Sequence, residues 1–338
     1  MRNIMSEYKN MGNHVSVIDL YKWQYRFLSI FFKLKKALMS FDFIIVMAGP
    51  KGSRAVLKLI YKMSKNKKAK VIFIPVGLGT IDTLVKRMDF EKLSNFINSI
   101  NYYGIKDKKM IRYLSKIDLV VPENEILCSL YRDFYSLNNV LLLRNFRYGA
   151  PILKKHKNAD GTLRIVFMSR ITENKGVFDL IDVVNRLVNR GLDIKLDFYG
   201  EIQLKKADSF LSQMNKNIIY KGVCKPDLSV SVLSNYDLLC LPTKYYAEGT
   251  PGVVVESFFS GTPCLISSYC QVDSLIVHKQ TGVVFRFNDV ADLEEKMFDI
   301  FSKKYDMDAI SENVFIESKK YSIDSARLVL KRIIGLEK

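Results

Sequence analysis

From residue 14 onward the chain alternates short apolar runs with longer amphipathic stretches, and that rhythm narrows the possible folds more than any other feature. Strands buried on both faces of a parallel sheet read as near-continuous apolar runs, with crossover helices between them. In the first half such runs fall at 14–20 (HVSVIDL), 42–48 (DFIIVMA), 70–75 (KVIFIP), 117–121 (IDLVV) and 139–143 (NVLLL). The second half restarts at 163–168 (LRIVFM), 194–199 (IKLDFY), 218–220, 237–241 (DLLCL) and 263–267, with helices at 177–190 and 252–260. Val177, Phe178, Leu180, Ile181, Val184, Leu187 and Val188 share one face of the 177–190 helix, and Gly191 stands where a helix-ending glycine would.

A chain of 338 residues, 48% hydrophobic, is more comfortable as two domains than as one. Gly, Pro, a Lys/His run and an Asp-Gly turn within 147–162 mark the linker. The expected domains are therefore 1–150 and 151–338, with the last helix packing back on the first. The fold class is α/β: two Rossmann-like doubly wound domains facing a cleft, with ligands beyond the carboxyl ends of the strands. The first domain opens on a helix, 1–11, then Gly12 and the 14–20 strand, so the strand on which such a domain normally starts is expected to be absent.

The formal net charge of +17 is unevenly spread. Residues 1–150 hold 26 Lys and Arg against 11 Asp and Glu (+15), whereas residues 151–338 hold 26 against 24 (+2). Clusters at Lys62, Lys65, Lys67, Lys68, Lys70 and at Lys106, Lys108, Lys109, Arg112 suit an anionic surface, either lipid headgroups or nucleic acid, or a solvated basic face. No nucleic-acid-binding module accompanies them, so nucleic acid is not an expected partner. The segment 21–39 interleaves Trp23, Phe27, Ile30, Phe31 and Leu34 with Lys33, Lys35 and Lys36, which fits a helix in a membrane interface or one packed on the first sheet. No apolar run reaches the roughly 18 residues of a membrane span, and 1–10 is too polar for a signal peptide. The expected location is cytoplasmic, peripheral at the inner face of the cell membrane. Cys128, Cys224, Cys240, Cys264 and Cys270 are far apart and never in a CxxC arrangement, which indicates neither a disulfide framework nor a zinc site.

The densest constellation runs from Leu241 to Glu256 (LPTKYYAEGTPGVVVE), leaving a strand, making a loop and entering a helix. Thr250 and Pro251 fit an N-cap and first helical residue, which brings the helix's free amides and positive dipole end toward a diphosphate. Gly249 and Gly252 let a ligand approach the backbone, and Glu256, one turn beyond Gly252, can share two hydrogen bonds with a ribose diol. A second constellation, Ser169 to Gly176 (SRITENKG), brings Arg170 and Lys175 to the carboxyl edge of the same sheet, where cations stabilise the charge that grows on a departing diphosphate.

Arg170 to Gly176, Glu248 to Glu256 with its glycines, Gly261-Thr262-Pro263 and Thr281-Gly282-Val283-Val284-Phe285 follow the order and spacing of family 4 retaining glycosyltransferases. The resemblance is strong over about 160–300 and weak before it, where Val140 to Arg147 looks like the segment preceding the hinge in bacterial surface-polysaccharide members. It implies a GT-B fold, no metal and no cofactor, and transfer of a hexosyl unit with retention from a UDP- or GDP-linked sugar to a saccharide acceptor, lipid-linked in such enzymes. By the same match Arg170 and Lys175 hold the diphosphate, Glu256 the ribose and Glu248 the donor sugar, with Gly249, Thr250, Pro251 and Gly252 completing the donor cradle. Many relatives also place a histidine of the first domain against the donor sugar; His14, His156 and His278 do not stand at such a loop. After Cys270, where an acid is expected, Asp273 and Ser274 stand nearby.

On the acceptor side, two loops follow strands of the first domain, carrying Lys51 and Arg54 (GPKGSR) and Gly77, Gly79 and Asp82 (GLGTID). The first lacks the full GxxxxGK[ST] spacing, so a nucleoside triphosphatase is not indicated. Its cations suit a phosphorylated acceptor, or the loop is a plain strand-to-helix turn. Two other readings stay open: a nucleotide-sugar epimerase on the same plan, and a non-catalytic nucleotide-sugar-binding partner.

Overall fold

The computed structural model describes residues 2–14, 16, 27–77, 80, 107–152, 161–246, 248–269 and 271–335. Most of the expected 14–20 strand, together with Trp23, Gly79, Asp82, Lys106, His156 and Cys270, lies outside these residues, and of Lys51 the backbone alone is described. The chain divides into two compact units, Met1–Phe146 with Ile323–Lys338, and Arg147–Ser322.

The first unit holds a parallel sheet of β1 (Phe43–Ala48), β2 (Lys70–Pro75) and β3 (Leu119–Val120), in that order among the described residues. The expected 139–143 strand is reduced to one isolated bridge, Val120 to Val140. Pro122 has no N–H to give, so the ladder beside it does not extend into a regular strand; its carbonyl accepts from Leu143 N at 2.9 Å instead. The core joins Tyr8, Ile72, Ile74, Val121, Leu143 and Phe146 to Ala326, Leu330 and Ile333 of the terminal helix Ile323–Ile333. The opening helix Arg2–Asn10 meets that helix directly: Tyr8 OH donates to Leu330 O, and buried Glu7 pairs with Arg327 at 2.7 Å.

Helix Phe27–Ser40 separates its residues by face. Leu34, Ala37 and Leu38, at i, i+3 and i+4, are buried, whereas Phe32 and Met39 are 64% and 51% exposed beside Lys33, Lys35 and Lys36. Leu34 thus belongs to the core and not to the aromatic and basic face expected of it. Helix Pro50–Met63 follows β1, and helix Lys108–Leu114 is capped by Asp107, whose carboxylate accepts from Met110 N and holds Arg54 at 2.6 Å.

The second unit carries a six-stranded parallel sheet: β4 (Leu163–Met168), β5 (Ile194–Tyr199), β6 (Ile218–Tyr220), β7 (Leu238–Leu241), β8 (Cys264–Ser267) and β9 (Val283–Phe285). Its spatial order is β6-β5-β4-β7-β8-β9, the doubly wound order that reverses between β4 and β7. Helix Val177–Asn189 follows β4 and buries the expected face, and Gly191 beyond it takes the left-handed conformation at φ 89. Cys240 and Cys264 are fully buried on adjacent strands; burial pushes both thiols up, that of Cys264 to about 12.

Candidate donor site at the sheet's switch point

Loops leaving the carboxyl ends of β4 and β7 meet where the strand order reverses, the position at which open parallel sheets bind ligands. Several backbone contacts fix the first loop: Ile171 N donates to Glu201 O at 2.9 Å and Lys175 N to Thr172 O at 3.0 Å. Gly176 then turns at φ 70, a conformation costly for residues with a Cβ. A Cβ here would overlap the carbonyl oxygen of Pro242, whose carbonyl carbon is 3.0 Å away, so this glycine is what lets the two loops touch. Lys244 N donates to Asn174 O at 2.8 Å and closes the contact.

Across that contact the Lys175 ammonium and the Glu248 carboxylate form an ion pair, with side chains 8% and 17% exposed. Around them, Thr243 Oγ1 lies 3.3 Å from Glu248 Oε2, Gln271 Nε2 donates to Glu248 O at 3.2 Å, and Tyr269 OH donates to Gly249 O at 3.1 Å. Thr243 and Gln271 are themselves buried, so the loop carrying Glu248 is held from beneath by groups that the sequence did not single out. Arg170 is exposed and makes no ion pair among the described residues. Asp273, one of the two residues near the acid expected after Cys270, is also exposed.

The helix after the second loop starts at Gly252, as the 252–260 reading expects, but Thr250 is not its cap. It spans Gly252–Phe259 with Pro251 at the capping position, and no side chain caps it. Thr250 therefore precedes the capping position and is buried, while Pro251 O accepts from Val254 N at 3.1 Å. The amino end still presents the amides that a helix leaves without internal acceptors. Glu256 reaches back along this turn, its Oε1 3.9 Å from where a Gly252 Cβ would stand. The same oxygen accepts from Arg147 Nε at 3.0 Å. Arg147 is the member that sequence reasoning missed, since its pairing with Glu256 spans 109 positions and leaves no local signal. Its backbone is anchored by Arg147 N donating to Tyr321 O at 2.8 Å.

Of the acceptor-side residues, Arg54 is engaged by Asp107, and Gly77, at φ 62, donates its N–H to Glu123 Oε1 at 3.4 Å. Lys51 lies in the first turn of helix Pro50–Met63. His278 sits in the second unit, where its Nδ1 accepts from Val284 N at 2.9 Å; burial and nearby Lys279 hold its pKa down.

A sheet wound in this order, with an acid and two cations at its reversal, has the build of the GT-B class, and comparison with solved structures agrees. Anabaena HepE in complex with UDP superposes with a TM-score of 0.67 at 12% identity, over 91% of this chain and 82% of that one, a likeness that speaks for the fold. Residues 150–316 match the family described as glycosyl transferases group 1. Two curated proteins of Staphylococcus aureus are similar. The capsular polysaccharide biosynthesis glycosyltransferase CapM is 24% identical over 149 residues, covering 43% of this chain and 38% of that protein. Protein CapJ is 27% identical over 242 residues, covering 69% of this chain and 58% of that one. The chain thus spans less than three fifths of either relative.

Proposed function

We propose that the chain is a glycosyltransferase that moves a hexosyl unit, with retention, from a UDP- or GDP-linked sugar to a saccharide acceptor in surface-polysaccharide assembly. The observation that carries the reading is the meeting of Lys175, Glu248 and the Gly252 helix end at the β4/β7 reversal, within the stretch that matches the glycosyl transferases group 1 family. Similarity to CapM supports the polysaccharide part. In this scheme the anomeric carbon–oxygen bond to the diphosphate breaks as the acceptor hydroxyl oxygen bonds to the same face. Its proton passes to the leaving phosphate oxygen. Arg170 and Lys175 stabilise the charge gathering there, while the protein supplies positioning. No protein nucleophile, metal or cofactor takes part in these steps.

Glu256 and Arg147 define how the nucleotide is received. A ribose diol that takes the Glu256 carboxylate must share it with Arg147 or release the guanidinium. Once released, it stands at a helix amino end beside the expected diphosphate, the anion a cation there would pair with. Glu256→Gln is expected to weaken UDP binding about tenfold or more, since hydrogen bonds to charged groups contribute about 1.5–3 kcal/mol. Isothermal titration of UDP into parent and variant checks it, and equal affinity would remove Glu256 from the ribose.

The acceptor is proposed to be lipid-linked and the protein peripheral on the inner face of the membrane. Exposed Phe32 and Met39 among Lys33, Lys35 and Lys36 support this, and no helix among the described residues is long and apolar enough to cross a membrane. The protein should pellet with anionic vesicles at low salt and be released at high salt. Phe32→Ser with Met39→Ser should reduce the pelleted fraction severalfold, and identical recovery with and without vesicles would end the membrane reading.

A further inference from the structure

The first unit gathers a second set of groups that sugar transfer at the β4/β7 reversal leaves unused. Helices Pro50–Met63 and Lys108–Leu114 pack side by side, joined near their starts by Arg54 and Asp107. Farther along they enclose a surface pocket of about 350 Å³. Five cations line it, Lys58, Lys62, Lys108, Lys109 and Arg112, together with Tyr61 and Tyr113. The spacings explain the convergence: Lys58 and Lys62, and likewise Lys108 and Arg112, are four apart and share a helix face. Among the described residues none of the five makes an ion pair and no carboxylate lines the pocket. The tyrosine rings lie 5.6 Å apart, tilted by 50°.

Five uncompensated like charges around one depression repel each other, and an anion relieves that repulsion. The tyrosines add flat apolar faces with polar tips, which suit the C–H faces of sugar rings. No aliphatic side chain projects from this lining to enter a bilayer; the exposed Phe32 and Met39 belong to a different helix. We propose that the pocket binds an anionic saccharide chain, a glycan bearing carboxylate or phosphate groups. Position refines the assignment. Helix Pro50–Met63 leaves the carboxyl edge of β1, and at 1.5 Å per residue its Lys58–Lys62 turn stands roughly 12–18 Å from that edge. The pocket therefore holds a part of the acceptor remote from the reacting hydroxyl. This inference rests on the glycosyltransferase reading.

The test is titration of the full chain with a hyaluronan octasaccharide, in which carboxylated sugars alternate with neutral ones, beside neutral maltooctaose and inorganic tripolyphosphate. Hyaluronan should bind and maltooctaose should not. Lys62→Gln with Arg112→Gln should weaken hyaluronan at least tenfold, and Tyr61→Leu with Tyr113→Leu at least threefold while leaving tripolyphosphate unchanged. Absence of hyaluronan binding, or equal binding by both variants, overturns the proposal. So does a result in which the charge variant loses anionic vesicles or single-stranded RNA but keeps hyaluronan. Thermal stabilisation by UDP, measured on the same samples, separates the two readings: its loss in the parent would end the donor-site assignment, whereas its retention in both variants shows the pocket failing or succeeding by itself.

Discussion

Glu248→Gln is expected to lower turnover by about a hundredfold while leaving UDP affinity within about threefold of the parent. In the proposed scheme the carboxylate contacts the donor sugar, and a preorganised electrostatic contact to a charge-developing transition state accounts for about that much rate. UDP has already lost the sugar, so its binding does not test this contact. The Lys175 pairing adds a second consequence. Glutamine keeps the shape and a hydrogen-bond acceptor but removes the counter-charge from an ammonium that is 8% exposed. A stability loss of about 1–3 kcal/mol should accompany the kinetic defect. Steady-state kinetics beside UDP titration and thermal melting decide it: full turnover in Glu248→Gln would take this residue out of the reaction.

Gly176→Ala is expected to be strongly disruptive for a single added methyl group. The new Cβ must adopt φ 70 and occupy the space of the Pro242 carbonyl oxygen, which is backbone and cannot swing aside. Strain of about 1–2 kcal/mol and overpacking of about 1–3 kcal/mol together lower the second unit's melting temperature by about 10 °C. Gly191→Ala is the matched control, because that glycine is also left-handed, at φ 89, but has nothing within 4 Å of the added carbon. A Gly176 variant no less stable than the Gly191 variant would mean that the loops can part without cost.

Five of the second sheet's six strands are legible almost to the residue; β9 is not among the expected runs. LLCL and the CLIS run are wholly buried, whereas IKLDFY buries Ile194, Leu196 and Phe198 and leaves Lys195 exposed; in either case the apolar residues mark the strand, and β4 and β5 fall where the apolar runs fall. Legibility failed where a distant group decides a local conformation. Pro122 stops a ladder that NVLLL would otherwise continue. Lys175 and Glu248 are each expected from the sequence to face a ligand, yet their pairing with one another, across 73 positions, depends on the strand order and has no trace in either segment. Arg147 is the extreme case: nothing around it in sequence announces a carboxylate partner.

The terminal helix imposes a timetable on synthesis. Tyr8, Ile72 and Leu143 emerge from the ribosome early, but Leu330 and Ile333, which complete their core, follow only after the 176 residues of Arg147–Ser322. At 5–20 residues per second that is a wait of roughly 10–35 s, during which the nascent first unit exposes an unfinished apolar face. The second unit, continuous in sequence, can fold meanwhile. Newborn chains should therefore pass through a state with one finished half and one chaperone-dependent half, and a ribosome stalled before codon 323 should display it.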